Sequence, residues 1–83
     1  MKLPKLTGKL AGGTLVNISK NHIKTFALIR QVKNPYQYQM GMPIVYVYHI
    51  VQLAINGRGW CNGRYDLPDT PETFEKFNKL ANA

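Results

Sequence analysis

The first 65 residues contain no aspartate and no glutamate, although they hold nine lysines and arginines: Lys2, Lys5, Lys9, Lys20, Lys24, Arg30, Lys33, Arg58 and Arg64. All four acids, Asp66, Asp69, Glu72 and Glu75, fall in the last 18 residues, so a +9 body carries a −2 tail and the net charge is +7. A small surface of one sign repels itself, and a polyanion such as nucleic acid is a natural partner for it; solvated cations without any such partner are the plainer alternative. Cysteine is nearly absent too. The single Cys61 excludes an internal disulfide, which fits a reducing compartment. No run approaches the roughly 18–20 apolar residues of a membrane span, so no membrane partner is expected. The start, Met1-Lys2-Leu3-Pro4-Lys5, lacks the apolar centre of a signal peptide, and the cytoplasm is the expected location.

Catalytic types are scarce as well. His22, His49 and Cys61 stand apart in sequence and have no zinc-type spacing. With every carboxylate beyond residue 65, a metal-dependent nuclease lacks its ligands. These absences lead to the expectation of a non-enzymatic protein with no metal and no cofactor. A chain of 83 residues makes one domain, 1–83, with a modest core that hides about 60–65% of the unfolded surface.

The expected fold class is α+β: a small antiparallel sheet of three to five strands with a carboxy-terminal helix packed on one face. Residues 1–13 read as a basic, loosely held arm ending in Gly12-Gly13. Thr14 to Ile18 suits a short strand, Ser19 to His22 a turn, and Thr25 to Val32 a second strand, with a helix over Lys24 to Gln31 as the alternative. Asn34-Pro35 interrupts the chain. Tyr36-Gln37-Tyr38-Gln39 alternates as strand or loop.

Ile44 to Ile55 is apolar on both alternate faces and reads as a long central strand, one face in the core and the other covered or engaged by aromatics. On it His49 reads as a hydrogen-bonded core histidine. Asn56-Gly57 is a tight-hairpin pair, which Arg58-Gly59 widens to four residues in a second option, and Trp60 to Tyr65 returns. Thr70 caps a closing helix with Pro71 first and Phe74, Phe77 and Leu80-Ala81 as its apolar stripe. Glu72 with Lys76 and Glu75 with Lys79 stand four apart, acid first, as helix pairs do.

The hairpin concentrates candidate contacts. Strict alternation puts Trp60, Asn62 and Arg64 on one face and Cys61, Gly63 and Tyr65 on the other, so packing of Tyr65 against the helix turns Asn62 and Arg64 outward with Trp60. A ribbon of this kind enters a DNA major groove, where arginine reads guanine while other cations meet phosphate. The candidate nucleic-acid contacts are Arg30, Arg58, Asn62, Arg64, Lys9, Lys20, Lys24 and Lys33, with DNA favoured over RNA.

The run Asn56-Gly57-Arg58-Gly59-Trp60-Cys61-Asn62-Gly63-Arg64-Tyr65-Asp66, followed by Thr70-Pro71-Glu72 and an aromatic-bearing helix, resembles the end of a three-stranded DNA-binding domain. That domain occurs in plant ethylene-response-type transcription factors, in mobile-element endonucleases and, in related form, at the amino termini of phage-type integrases. Gly63, Tyr65, Asp66, Thr70 and Glu72 match the family's glycine-x-aromatic-aspartate step and threonine-x-glutamate cap, and the likeness covers residues 44–83. It implies that the outer sheet face meets the major groove through Arg58 and Arg64, with Arg30 a further candidate. Leu67-Pro68-Asp69 lengthens the connection, the first strand lacks the arginine-rich pattern, and residues 1–23 have no counterpart.

A different class of function is also open. Tyr36, Tyr38, Tyr46, Tyr48 and Trp60, if clustered on one exposed face, are anchors for a protein or nucleoprotein partner. The chain is then a small inhibitor or adaptor, such as a phage or mobile element encodes against a host complex. Stacking of single strands on the tyrosines is a third reading, and a second copy of the chain is a further candidate partner, as a homodimer.

Overall fold

Thr25–Val32 and Tyr46–Leu53, rich in β-branched and aromatic residues, pair antiparallel along their whole length, Phe26 opposite Gln52 through to Val32 opposite Tyr46. In this computed structural model, which describes residues 3–20 and 24–81, they are the centre of a four-stranded meander. The strands are β1 (Thr14–Lys20), β2 (Thr25–Val32), β3 (Tyr46–Leu53) and β4 (Trp60–Leu67), every neighbouring pair antiparallel. A short helix α1 (Pro35–Gln39) joins β2 to β3, and α2 (Pro71–Ala81) closes the chain. The α+β class expected above is the observed one. Thr25–Val32 is strand, not the alternative helix over Lys24 to Gln31; β1 runs on through Ser19 and Lys20 in place of the expected turn, and the rest of that turn, 21–22, lies outside the described residues.

Alternation divides the core. Phe26, Leu28, Tyr48 and Ile50 face α2, which contributes Phe77, and Tyr46, Leu67 and Leu80 pack around them. Ala27, Ile29 and Val51 face the other way, under Leu10, with Leu6 and Trp60 beside them. Ala27, Leu28, Ile29, Ile50 and Val51 are at most 1% exposed, so both faces of the central pair are dry. The arm expected to be loosely held therefore covers a sheet face: Leu10 is 4% exposed, within a one-turn Gly8–Leu10 helix. Gly13 permits this close crossing, because a Cβ there would lie 2.6 Å from Cγ2 of Ile29.

Two connections differ from expectation. Tyr36 to Gln39 is helical, because Pro35 at its first position presets the backbone dihedral and the Asn34 side chain holds the loop. Asn34 Nδ2 donates to the Pro43 carbonyl at 2.9 Å, and its Oδ1 accepts from Val45 N–H at 2.8 Å. This clamp delays β3 to Tyr46, shorter than the Ile44 to Ile55 run. The β3–β4 hairpin takes the wider option: Ala54 N–H donates to the Gly59 carbonyl at 2.9 Å, leaving four residues in the loop, and Gly57 supplies a φ of 71°.

Helix α2 starts as its sequence signals, with Thr73 N–H donating to the Thr70 carbonyl at 3.1 Å. Thr73 is 3% exposed and its hydroxyl donates to the Pro68 carbonyl at 2.6 Å, which fixes the β4–α2 corner. Glu72 is held below the usual carboxylate range by its own backbone N–H and then by the Thr70 hydroxyl. Phe74 is only partly covered, its ring 5.1 Å from that of Tyr48 in an edge-on arrangement.

Phe77→Ala should lower unfolding free energy by about 3–5 kcal/mol and Leu10→Ala by about 2–5 kcal/mol, against the roughly 5–15 kcal/mol of an ordinary domain. Urea melts followed by far-ultraviolet circular dichroism test both layers. Unchanged stability in Leu10→Ala would mean that the arm does not cover the sheet.

Candidate functional site

Two bulges in β4 decide which side chains meet. Tyr48 is opposite Leu67, Ile50 opposite Arg64 and Gln52 opposite Cys61, so the ladder steps three residues on β4 for every two on β3. Asn62 and Asp66 lie within these steps with φ of 49° and 58°, the left-handed conformation that asparagine and aspartate tolerate better than other side chains. Each extra residue shifts the alternation by one. Arg64 consequently falls on the α2 face with Ile50, while Trp60, opposite Leu53, falls on the arm face. The expected grouping of Trp60, Asn62 and Arg64 is thus broken, and Tyr65 packs away from α2, its ring 5.6 Å from that of His49. A Cβ at Gly63 would overlap the Tyr65 ring, so the missing side chain lets that ring lie over the strand.

On the arm face a cleft of about 290 Å³ opens between the arm and the hairpin. Lys5, Thr7 and Lys9 line it from the arm, and Arg58, Trp60 and Tyr65 from the hairpin. Lys9 Nζ stands 5.0 Å from the centre of the Tyr65 ring, a cation over an aromatic face. A neighbouring hollow of about 310 Å³ shares Pro4, Lys5 and Arg58, and neither lining contains a carboxylate. Other hollows mix the signs. Lys33 shares one with Asp66 and Asp69, and Arg64 shares one with Glu72, Glu75, Lys76 and Lys79.

The candidate contacts are therefore dispersed. Lys9 and Arg58 meet at the cleft, whereas Arg30 lies 4.6 Å over the Tyr46 ring on the α2 face. Asn62 Nδ2 donates to Gln52 Oε1 at 3.2 Å, and Lys20 and Lys24 are exposed near the start of β2. Lys5 and Thr7 join the cleft without having been singled out, and Tyr65, expected against the helix, lines it as well. The available signal was Leu6 and Leu10, two apolar residues amid the arm's cations, which have a reason to pack.

The aromatic candidates do not share a face either. Tyr48 is 5% exposed beneath α2, Tyr46 is half-buried beside it, and Trp60 lies on the opposite face. Burial raises the Tyr48 hydroxyl pKa, Asp69 adds to the rise, and Arg30 opposes it. Tyr36 and Tyr38 are exposed on α1, followed by exposed Met40 and Met42.

His49, 1% exposed, ties the layers together. Its Nδ1 accepts Asp66 N–H at 3.1 Å, which leaves the ring proton on Nε2 to be donated to Gln31 Oε1 at 2.8 Å. Gln31 Nε2 then donates to the Ala11 carbonyl at 2.7 Å, so one chain of hydrogen bonds runs from β4 through β3 and β2 to the arm. Burial lowers the His49 pKa, with the Asp66 charge opposing and Lys9 reinforcing. Cys61 is half-buried, His22 lies outside the described residues, and among the described residues no three of His, Cys, Asp and Glu gather. No helix among them is long and apolar enough to cross a membrane. No family model, no curated protein and no solved structure matches the chain.

The lowered His49 pKa makes stability depend on pH. The unfolded chain takes up the proton near the ordinary value of about 6.5, while the folded chain resists it. Stability should be full above that value and fall as pH drops from about 6.5 toward the lowered folded value. Thermal melts across this window check the sign. A melting temperature that rises on acidification there would contradict a buried neutral imidazole.

Proposed function

We propose that this chain is a non-enzymatic nucleic-acid-binding protein of the cytoplasm that docks through its arm and hairpin, on DNA in preference to RNA. The observation that carries this is the pair of adjoining hollows lined by Lys5, Lys9 and Arg58 without a carboxylate, in a chain whose acids all lie beyond residue 65. Phosphates set the affinity of such a surface, and released counterions make it salt-dependent. The docking surface differs from the one implied by the likeness to the three-stranded DNA-binding domain. Here the arm covers the sheet face opposite α2, and Arg64 sits among the charges of α2.

A second reading has its own support. No charged side chain occurs between Lys33 and Arg58, and in that stretch Tyr36, Tyr38, Met40 and Met42 are 81%, 51%, 84% and 56% exposed. Exposed aromatics and methionines of this kind anchor protein partners, as an inhibitor or adaptor requires.

Fluorescence anisotropy with labelled duplex DNA, single-stranded DNA and RNA tests the first reading. The expected slope of log K against log salt is about −0.9 per phosphate neutralised, near −3 for three cations. Lys9→Gln and Arg58→Gln should each flatten it by roughly 0.9, and Arg64→Ala should leave it unchanged. Absence of binding at about 50 mM salt to every probe would remove this reading. Capture from lysate that survives nuclease and is lost in Tyr36→Ala would favour the second.

A further inference from the structure

The cleft between arm and hairpin has a feature that backbone electrostatics alone does not require. Trp60 lines it, and the indole Nε1 is a buried donor with no hydrogen-bond partner among the described residues. A buried N–H without an acceptor costs about 1–3 kcal/mol, and each such group in a folded protein calls for an explanation, such as a water or ion that supplies the acceptor. The acceptor's charge follows from the surroundings. Lys5, Lys9 and Arg58 approach the same cleft, Thr7 adds a hydroxyl, and no carboxylate lines it.

We propose that this cleft is a binding site for one phosphate group, whose entry uncovers the Trp60 indole so that Nε1–H, without accessible surface in the free protein, donates to a phosphate oxygen. Arg58, on a hairpin loop fixed by the Ala54–Gly59 and Asn56–Arg58 hydrogen bonds, offers the guanidinium fork that suits two oxygens of the same group. Lys9, already drawn over the Tyr65 ring, supplies a second charge beside it. Tyr65 keeps its place because Gly63 leaves room for its ring and His49 packs against it. Only the source of the phosphate rests on the nucleic-acid reading: an internal phosphodiester of a strand, a terminal monoester and a free phosphorylated small molecule present the same chemistry.

Trp60 is the single tryptophan of the chain, so its fluorescence reports on this site directly. The full-length protein is titrated with inorganic phosphate, thymidine 5′-monophosphate and thymidine at ionic strength matched with sodium chloride. The same emission is followed with short oligonucleotides with and without a 5′-phosphate. Saturable changes with phosphate and the monophosphate, and none with thymidine, are expected. Lys9→Gln and Arg58→Gln should weaken them about three- to tenfold, and Lys79→Gln on α2 should not. Calorimetry on Trp60→Phe, which keeps the ring wall and removes the donor, should show a loss of similar size with an unchanged melting temperature. Enhancement by the 5′-phosphate identifies a strand end as the source, and equal response to both oligonucleotides identifies an internal phosphodiester. Phosphate binding without oligonucleotide binding keeps the site and overturns the nucleic-acid reading. Oligonucleotide binding detected by anisotropy, with Trp60 emission insensitive to phosphate and monophosphate, overturns the site and keeps that reading.

Discussion

Two adjacent strands that are apolar on both alternate sets of residues cannot leave either face in water, and the rest of the molecule is arranged around that constraint. Ala27, Ile29 and Val51 on one side and Leu28 and Ile50 on the other are all essentially inaccessible. The segments that flank the sheet in the chain cover them. Helix α2 brings Phe77 to one face, and the arm brings Leu10 to the other. The polar groups caught between these layers are satisfied in sequence through His49, Gln31 and the Ala11 carbonyl, which locks the arm to the sheet by directed bonds as well as by burial.

The same constraint distributes charge. The arm that covers one face is basic, and the helix that covers the other carries two glutamates followed by two lysines. Layering turns an asymmetry along the chain into an asymmetry across the molecule, with unopposed cations on the arm side and mixed signs on the helix side. The self-repulsion of Lys5, Lys9 and Arg58 is then concentrated at one cleft, where the proposed anion would relieve it. The β2–β3 connection, uncharged after Lys33 and carrying exposed tyrosines and methionines, lines neither hollow of the arm side.

The bulges in β4 show how a local backbone choice reassigns function. An asparagine and an aspartate in the left-handed conformation insert one extra residue each, and the arginine and tryptophan that alternation would join are sent to opposite faces. The second bulge also turns Asp66 N–H onto His49, so it contributes to the core bridge while it directs Tyr65 to the cleft. One device thus sets the buried polar chain and one wall of the proposed phosphate site.

Much of the fold was legible in the chain itself. The bounds of β2, the cap of α2 and the core position of His49 follow from local propensity and periodicity, which act over a few residues. The placement of side chains around the cleft was not. Lys5, Thr7 and Tyr65 come to Arg58 only because Leu6 and Leu10 fold the arm back over the sheet, a contact between residues about 50 apart in sequence that no local pattern encodes. Periodicity likewise carries no mark of a bulge, since Asn62 and Asp66 are ordinary polar residues until strand pairing requires the ladder to skip. The sequence by itself determined the four strands and the closing helix, the apolar character of both faces of the central strand and the segregation of acids. Only tertiary structure decided which cations converge, because convergence depends on register and on which terminal segment covers which face.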